Sequence, residues 1–328
     1  MGYSNWSNAA FNSRQNNRKS TGQSAFAYDA HVRQTGAVAV HPQMDPKGVR
    51  RESRDSDQHP QSLSIGVIFD VTGSMGNVPR TLQSKLGSLM RMLIQNGYVA
   101  HPQILFGAVG DAYSDRVPLQ IGQFESGLEM DDDLGRIYIE GGGGGQMRES
   151  YDLALYFMAH HTEMDCWEKR GKKAYLFTIG DEMHYDRVRA DHVRDIMGDE
   201  IGEDIPFAAV IDALHRKYEH FHILPTNTYH GGNPDVQAQW RDSLGERVLL
   251  LEDENAVCET IALAIALCEG TLDTLDHGTS TLVNAGYDAA HASSASTALT
   301  PFAQAQPPVV VTEGTLPPID LSGPDGRL

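Results

Sequence analysis

Cysteine is scarce in this sequence: Cys166, Cys258 and Cys268 are the only three in 328 residues, with no CxxC spacing. Neither a disulfide framework nor a zinc ribbon fits an odd, scattered set, and a reducing cytoplasm is the expected compartment. Long apolar runs are also missing. No stretch approaches the roughly 20 residues of a membrane span, and residues 1–20 are rich in Asn and Ser, so neither a membrane segment nor a signal peptide is expected. No G-x-x-x-x-G-K-S/T loop is present to cradle nucleotide phosphates. A G-x-S-x-G nucleophile elbow is absent as well.

Basic charge is in short supply, with 26 Lys and Arg against 44 Asp and Glu, a net charge of -18. The imbalance is uneven. Residues 1–60 hold 8 basic and 5 acidic side chains, 61–270 hold 17 and 33, and 271–328 hold 1 and 6. An acidic middle region repels phosphate backbones and attracts cations, which argues against nucleic acid as a partner, although such a charge also serves solubility alone.

Hydrophobic residues make up 40% of the chain, enough for a sizeable core. Their distribution divides the sequence into three parts. Residues 1–60 are polar, with few apolar clusters, and read as a mobile arm carrying at most a short strand or hairpin at 37–40. Residues 61–270 alternate strand-like and helix-like patterns. Residues 271–328, rich in Ala, Ser, Thr and Pro, read as a largely disordered tail with two apolar islands at 308–311 and 316–321.

In the middle region, strands are expected at 63–69, 102–110, 173–179, 220–225 and 247–251, with a short edge strand at 119–124. Helices are expected up to Ile94, at 150–160 as an amphipathic helix, and at 186–197, 206–218, 235–244 and 255–268. Residues 128–139 suit either state. The alternation predicts an α/β fold: a doubly wound, mostly parallel sheet with one antiparallel edge strand and helices on both faces.

The stretch LSIGVIFDVTGSM, residues 63–75, concentrates the chemistry. An apolar strand ends in Asp70 and turns at once into a loop holding Thr72 and Ser74. In open α/β sheets ligands collect outside the carboxyl ends of strands. One carboxylate and two hydroxyls offer only hard oxygen donors, suited to Mg²⁺ or Ca²⁺ rather than Zn²⁺. The plain alternative is that Asp70 closes a strand and Thr72 or Ser74 caps the next helix.

The spacing Asp-x-Thr-x-Ser resembles the first motif of the von Willebrand factor A (vWA) domain and its metal-ion-dependent adhesion site. Asp181, one glycine past the apolar AYLFTI, matches the family's third metal-site aspartate. Between them the family commonly places a threonine after glycines, whereas here GGGGGQMRES supplies Glu149. That placement resembles integrin beta subunits and bacterial vWA proteins whose Gly-rich loop closes in Glu-Ser. An acid answering the dipole of the following helix is the plain reading of Glu149.

The resemblance covers residues 63–270. It implies the vWA fold, a metal site of Asp70, Thr72, Ser74, Glu149 and Asp181 holding Mg²⁺ (or Ca²⁺ or Mn²⁺), and a partner protein whose Asp or Glu completes the coordination sphere. Many bacterial members are cytoplasmic and work beside MoxR-type AAA+ ATPases. Three carboxylates in place of two should hold the cation better without a partner and pull less on an incoming carboxylate.

Two other readings stay open. Asp70 could serve a Mg²⁺-dependent phosphohydrolase, though Thr72 stands where haloacid-dehalogenase-like enzymes need an aspartate. Function could instead lie in the tails, with the domain as a passive scaffold. Among the 14 histidines, His160 and His161, or His220 with His222 and His230, could be imagined as a zinc site, but no acidic or sulfur ligands are spaced to join them.

Overall fold

A computed structural model describes residues 2–142 and 147–305. Six strands form the central sheet: β1 (Leu63–Asp70), β2 (Pro102–Val109), β3 (Leu119–Ile121), β4 (Ala174–Ile179), β5 (Tyr218–Pro225) and β6 (Val248–Leu251). Their order across the sheet is β6-β5-β4-β1-β2-β3. All neighbours run parallel except β3, which pairs antiparallel with β2 through Gly107↔Ile121 and Val109↔Leu119. Every residue of β1, β2 and β4 is buried, as expected of strands covered on both faces.

Chain order dictates where the helices lie. Helix α3 (Val78–Gln95) carries the chain from β1 to β2, while α5 (Tyr151–His160) precedes the return from that side to β4. Right-handed crossovers in opposite directions put these helices on opposite faces. The resulting switch point falls between the carboxyl ends of β1 and β4, the crevice where α/β sheets gather ligands. Nine of the ten residues of α5 are buried, so the helix is apolar nearly all round rather than amphipathic. Gly66 of β1 makes that close packing possible: a Cβ there would lie 2.8 Å from both Met158 Cε and Leu176 Cδ1.

Beyond β4, α6 (Phe207–His215) and α7 (Pro234–Leu244) link β4, β5 and β6. Residues expected as one helix at 186–197 form a short strand Arg187–Val188 and a helix Ala190–Ile196. Residues 128–139 resolve as a helix, α4 (Glu129–Arg136), with three acids in its first turn to answer the helix dipole.

Both flanks depart from expectation. The N-terminal segment forms α1 (Asn8–Thr21) and α2 (Ala27–Thr35), with no strand at 37–40. Phe11, Phe26 and Met44 enter the main core. Arg18 holds the buried Asp131 of α4 at 2.7 Å, and Arg51–Ser53 pairs parallel with Thr162–Met164. Ile121 N–H donates to Met44 O, and the Arg51 guanidinium donates to Ile121 O, each at 2.8 Å, so this segment covers the β3 edge. Its apolar anchors are too few to give a periodic pattern, and ion pairs supply the rest.

The expected disordered tail likewise begins as structure. Helices α9 (Leu275–Asn284) and α10 (Ala289–Ala305) follow α8 (Val257–Cys268), and α10 buries Ala292, Ala295, Ala298, Leu299 and Phe302. Alanine is the best helix former, so a composition that looks low in complexity suits a helix lying close against its neighbours. The island at 308–311 and that at 316–321 lie outside the described residues. Among the described residues no helix is long and apolar enough to cross a membrane.

Candidate metal centre

The three loops singled out by sequence meet at the switch point. Asp70 ends β1 fully buried, and its Oδ1 accepts from Thr72 N–H at 2.7 Å and from Thr72 Oγ1 at 2.6 Å. Thr72 stands at the N-cap position of the short turn Gly73–Met75 but makes no capping bond with its side chain. Its hydroxyl lies 3.2 Å from Ser74 Oγ. Ser74 Oγ in turn donates to Asp181 Oδ1 at 2.7 Å. The plain capping alternative therefore fails for both hydroxyls: they face carboxylates, not helix N–H groups.

Asp181 follows β4 and is fully buried. Its second oxygen accepts from His230 N–H at 2.9 Å, which brings the loop after β5 to the same place. The Gly-rich loop closes on the first motif through its backbone, with Gly73 N–H donating to Gly142 O at 2.9 Å and Gly141 N–H to Val71 O at 3.2 Å. Gly73 must be small here, because a Cβ would sit 3.1 Å from Gly141 O. Residues 143–146, the remainder of the glycine run and Gln146, lie outside the described residues.

Glu149 sits one residue before the N-cap of α5, in a two-residue strand, Arg148–Glu149, paired with Met183–His184. The first turn of that helix also carries an acid of its own, Asp152. The Glu149 carboxyl is buried, faces Glu182 in a hydrogen bond, and leaves Oε2 without a partner. Its pKa is raised far above the carboxylate range by burial, and further by the charges of Asp70 and Glu182. Burial likewise pushes the Asp70 pKa well up, against the two bonds from Thr72, and the charges of Asp181 and Glu182 add to it. Glu182 is raised by burial and Asp181, with His230 opposing.

Among the described residues no group of three or more His, Cys, Asp or Glu side chains is arranged to hold a metal ion. Asp70 and Asp181 converge with Thr72 and Ser74, while Glu149 faces Glu182, whose carboxyl also bonds Ser74. The donor set of two carboxylates and two hydroxyls nevertheless suits a hard dication. Buried acids that repel one another, with one carboxylate oxygen unpartnered, form a site that lacks positive charge.

Three participants went unassigned in the sequence. Glu182 was visible only as the neighbour of Asp181. Tyr151, whose hydroxyl lies 3.5 Å from Asp70 Oδ2, and the His230 backbone carry no sequence signal. The imagined zinc histidines are accounted for otherwise: His220 Nε2 and His222 Nδ1 both meet Thr178 Oγ1, at 3.0 and 2.9 Å, and His161 pairs with Asp199 at 2.6 Å.

No family model matches this chain, and neither does any curated protein. Solved structures similar to it include the pilus adhesin SpaC from Lactobacillus rhamnosus GG in its open conformation, with 10% identity over 69% of this chain and a TM-score of 0.41. Proximal thread matrix protein 1 from the mussel byssus, crystal form 2, shares 10% identity over 63% of this chain, with a TM-score of 0.42. The chain spans 33% of the length of SpaC and 48% of that of the byssus protein.

Proposed function

We propose that this chain is a vWA-type module that binds a partner protein through a divalent cation, with no catalytic step of its own. The observation that carries the reading is the hydrogen-bonded line Asp70–Thr72–Ser74–Asp181, which draws two loops from separate strand ends onto one set of hard oxygen donors. Asp70, Thr72, Ser74 and Asp181 would hold Mg²⁺, directly or through water, with Ca²⁺ and Mn²⁺ as alternatives. Glu149, beside them, would lend its carboxylate to the outer part of the sphere. Bound there, the cation would act as a Lewis acid toward one further oxygen ligand.

Ser74 is only half-buried and Gly73 is exposed, so this face of the line opens to solvent and to a carboxylate brought by a partner. In this reading the module works in the cytoplasm, beside a MoxR-type AAA+ ATPase, as the vWA resemblance implies. A pull-down from the native host with and without EDTA tests it. Recovery of an ATPase or another acidic-motif protein only when Mg²⁺ is present supports the reading. Partners that survive both EDTA and Asp70→Asn contradict it.

A further inference from the structure

We propose that the mouth of this centre is a docking surface for the chain's own C-terminal segment, residues 316–321, with Asp320 supplying the carboxylate. The proposal rests on the metal reading above and adds the identity of the ligand.

The first support is the rim. Tyr113 and Tyr229 are among only six large apolar side chains exposed on the described residues, at 48% and 84%. Tyr229 packs against His230, the residue whose N–H holds Asp181, with ring centroids 4.7 Å apart. Tyr113 stands on the other side, 4.6 Å from the ring of Tyr185, which donates its hydroxyl to Asp111. Guanidinium groups border these rings, Arg148 at 5.9 Å from the Tyr185 centroid and Arg189 at 5.9 Å from that of Tyr113. The exposed Tyr113 ring, edged by an Arg189 guanidinium that also pairs with Asp191 at 2.6 Å, and the exposed Tyr229 ring suit an extended, proline-bearing segment.

The second support is the sequence left unassigned by the fold. Residues 316–321 read LPPIDL, a proline pair followed at once by an acid between two aliphatic residues. Prolines favour the extended polyproline conformation at low entropic cost, and this segment lies within a stretch, 306–328, holding Glu313, Asp320 and Asp325 against the single basic residue Arg327.

The third support is reach. Helix α10 begins near the site end of the sheet, where His291 lies 3.6 Å from Asp253 just past β6. It runs to the opposite end, where Phe302 meets Phe221 and the Arg247 guanidinium that precedes β6. Asp320 lies 15 residues beyond Ala305, the last residue of α10. Those residues span up to about 50 Å when extended. The return path is shorter, about 27 Å along an eight-residue strand and about 12 Å across two to three strand spacings.

The test titrates a fluorescein-labelled peptide of residues 312–325 into the full chain and into its Asp320→Asn variant, read by anisotropy, with parallel Mg²⁺ calorimetry. In Mg²⁺ the peptide should bind the variant about tenfold more tightly than wild type, whose tethered segment competes. EDTA, the Asp320→Asn peptide, and Tyr113→Ala or Tyr229→Ala in the protein should each weaken binding. Equal affinity for both chains while calorimetry still records Mg²⁺ uptake overturns the docking and spares the metal reading. Absence of Mg²⁺ uptake overturns both. Self-association that requires Mg²⁺ and rises with concentration in sedimentation places the segment on a second copy and overturns docking within one chain.

Discussion

Ser74 Oγ donates to Asp181 Oδ1 at 2.7 Å, joining two positions 107 residues apart in the chain. The bond is the closing link between the carboxyl ends of β1 and β4, and it decides which substitutions separate metal binding from folding. Asp181→Asn removes a charge from a buried acidic cluster. In EDTA this variant is expected to melt no lower than wild type, and higher if the relief of repulsion on Asp70 and Glu182 outweighs the altered bond from Ser74. Its Mg²⁺ affinity is expected to fall by more than about 100-fold. Thermal melts in EDTA set beside Mg²⁺ calorimetry check the pair of outcomes. A variant that loses stability in EDTA but keeps Mg²⁺ would mark Asp181 as structural only.

Saturating Mg²⁺ should raise the unfolding free energy of wild type by about 2.7 kcal/mol at a hundredfold excess over its dissociation constant. Asp70→Asn should abolish that increment. Urea midpoints with 10-fold steps of Mg²⁺ measure it directly, and a midpoint indifferent to Mg²⁺ in wild type would contradict the site.

Gly66→Ala should destabilise the fold by about 1–3 kcal/mol, because the added methyl lands 2.8 Å from side-chain atoms of both α5 and β4. Chemical denaturation shows the loss. A neutral result would mean that α5 does not pack on β1 as closely as described.

Burial of His220 and His222 should cost the fold stability at those two positions as pH falls. Burial lowers the His220 and His222 pKa values well below 6.5, so both rings stay neutral in the fold. At these two rings the unfolded chain binds protons below that value while the folded chain does not, so their contribution to stability is full above about pH 6.5 and falls as pH drops; the raised Asp70 and Glu149 carboxyls contribute with the opposite sign over the same range. Each ring contributes a slope of about 1.4 kcal/mol per pH unit until its folded pKa is reached. Urea midpoints between pH 7.5 and 5 for wild type and His222→Gln isolate that ring: wild type should lose more stability than the variant as pH falls.

The sheet was readable from sequence because buried parallel strands leave continuous apolar runs; β1, β2, β4, β5 and β6 each lie within two residues of their expected bounds. Asp70, Thr72, Ser74 and Asp181 were readable because strand ends place side chains together whenever the strands are neighbours. The flanks were not. Phe11, Phe26 and Met44 are single anchors in polar surroundings, and α10 hides its buried face among alanines. Glu149 was readable as a neighbour of the site but not in its pairing with Glu182, which depends on Arg148–Glu149 aligning with Met183–His184. Phe302→Ala, expected to cost about 3 kcal/mol, tests that α10 belongs to the fold.

The most direct measurement is anomalous diffraction from crystals of the full chain grown with Mn²⁺. A peak within bonding distance of Ser74 Oγ and Thr72 Oγ1, on the side facing Asp70 and Asp181, is the predicted result. Crystals that bind Mn²⁺ only elsewhere, or show no peak between β1 and β4, would contradict the account.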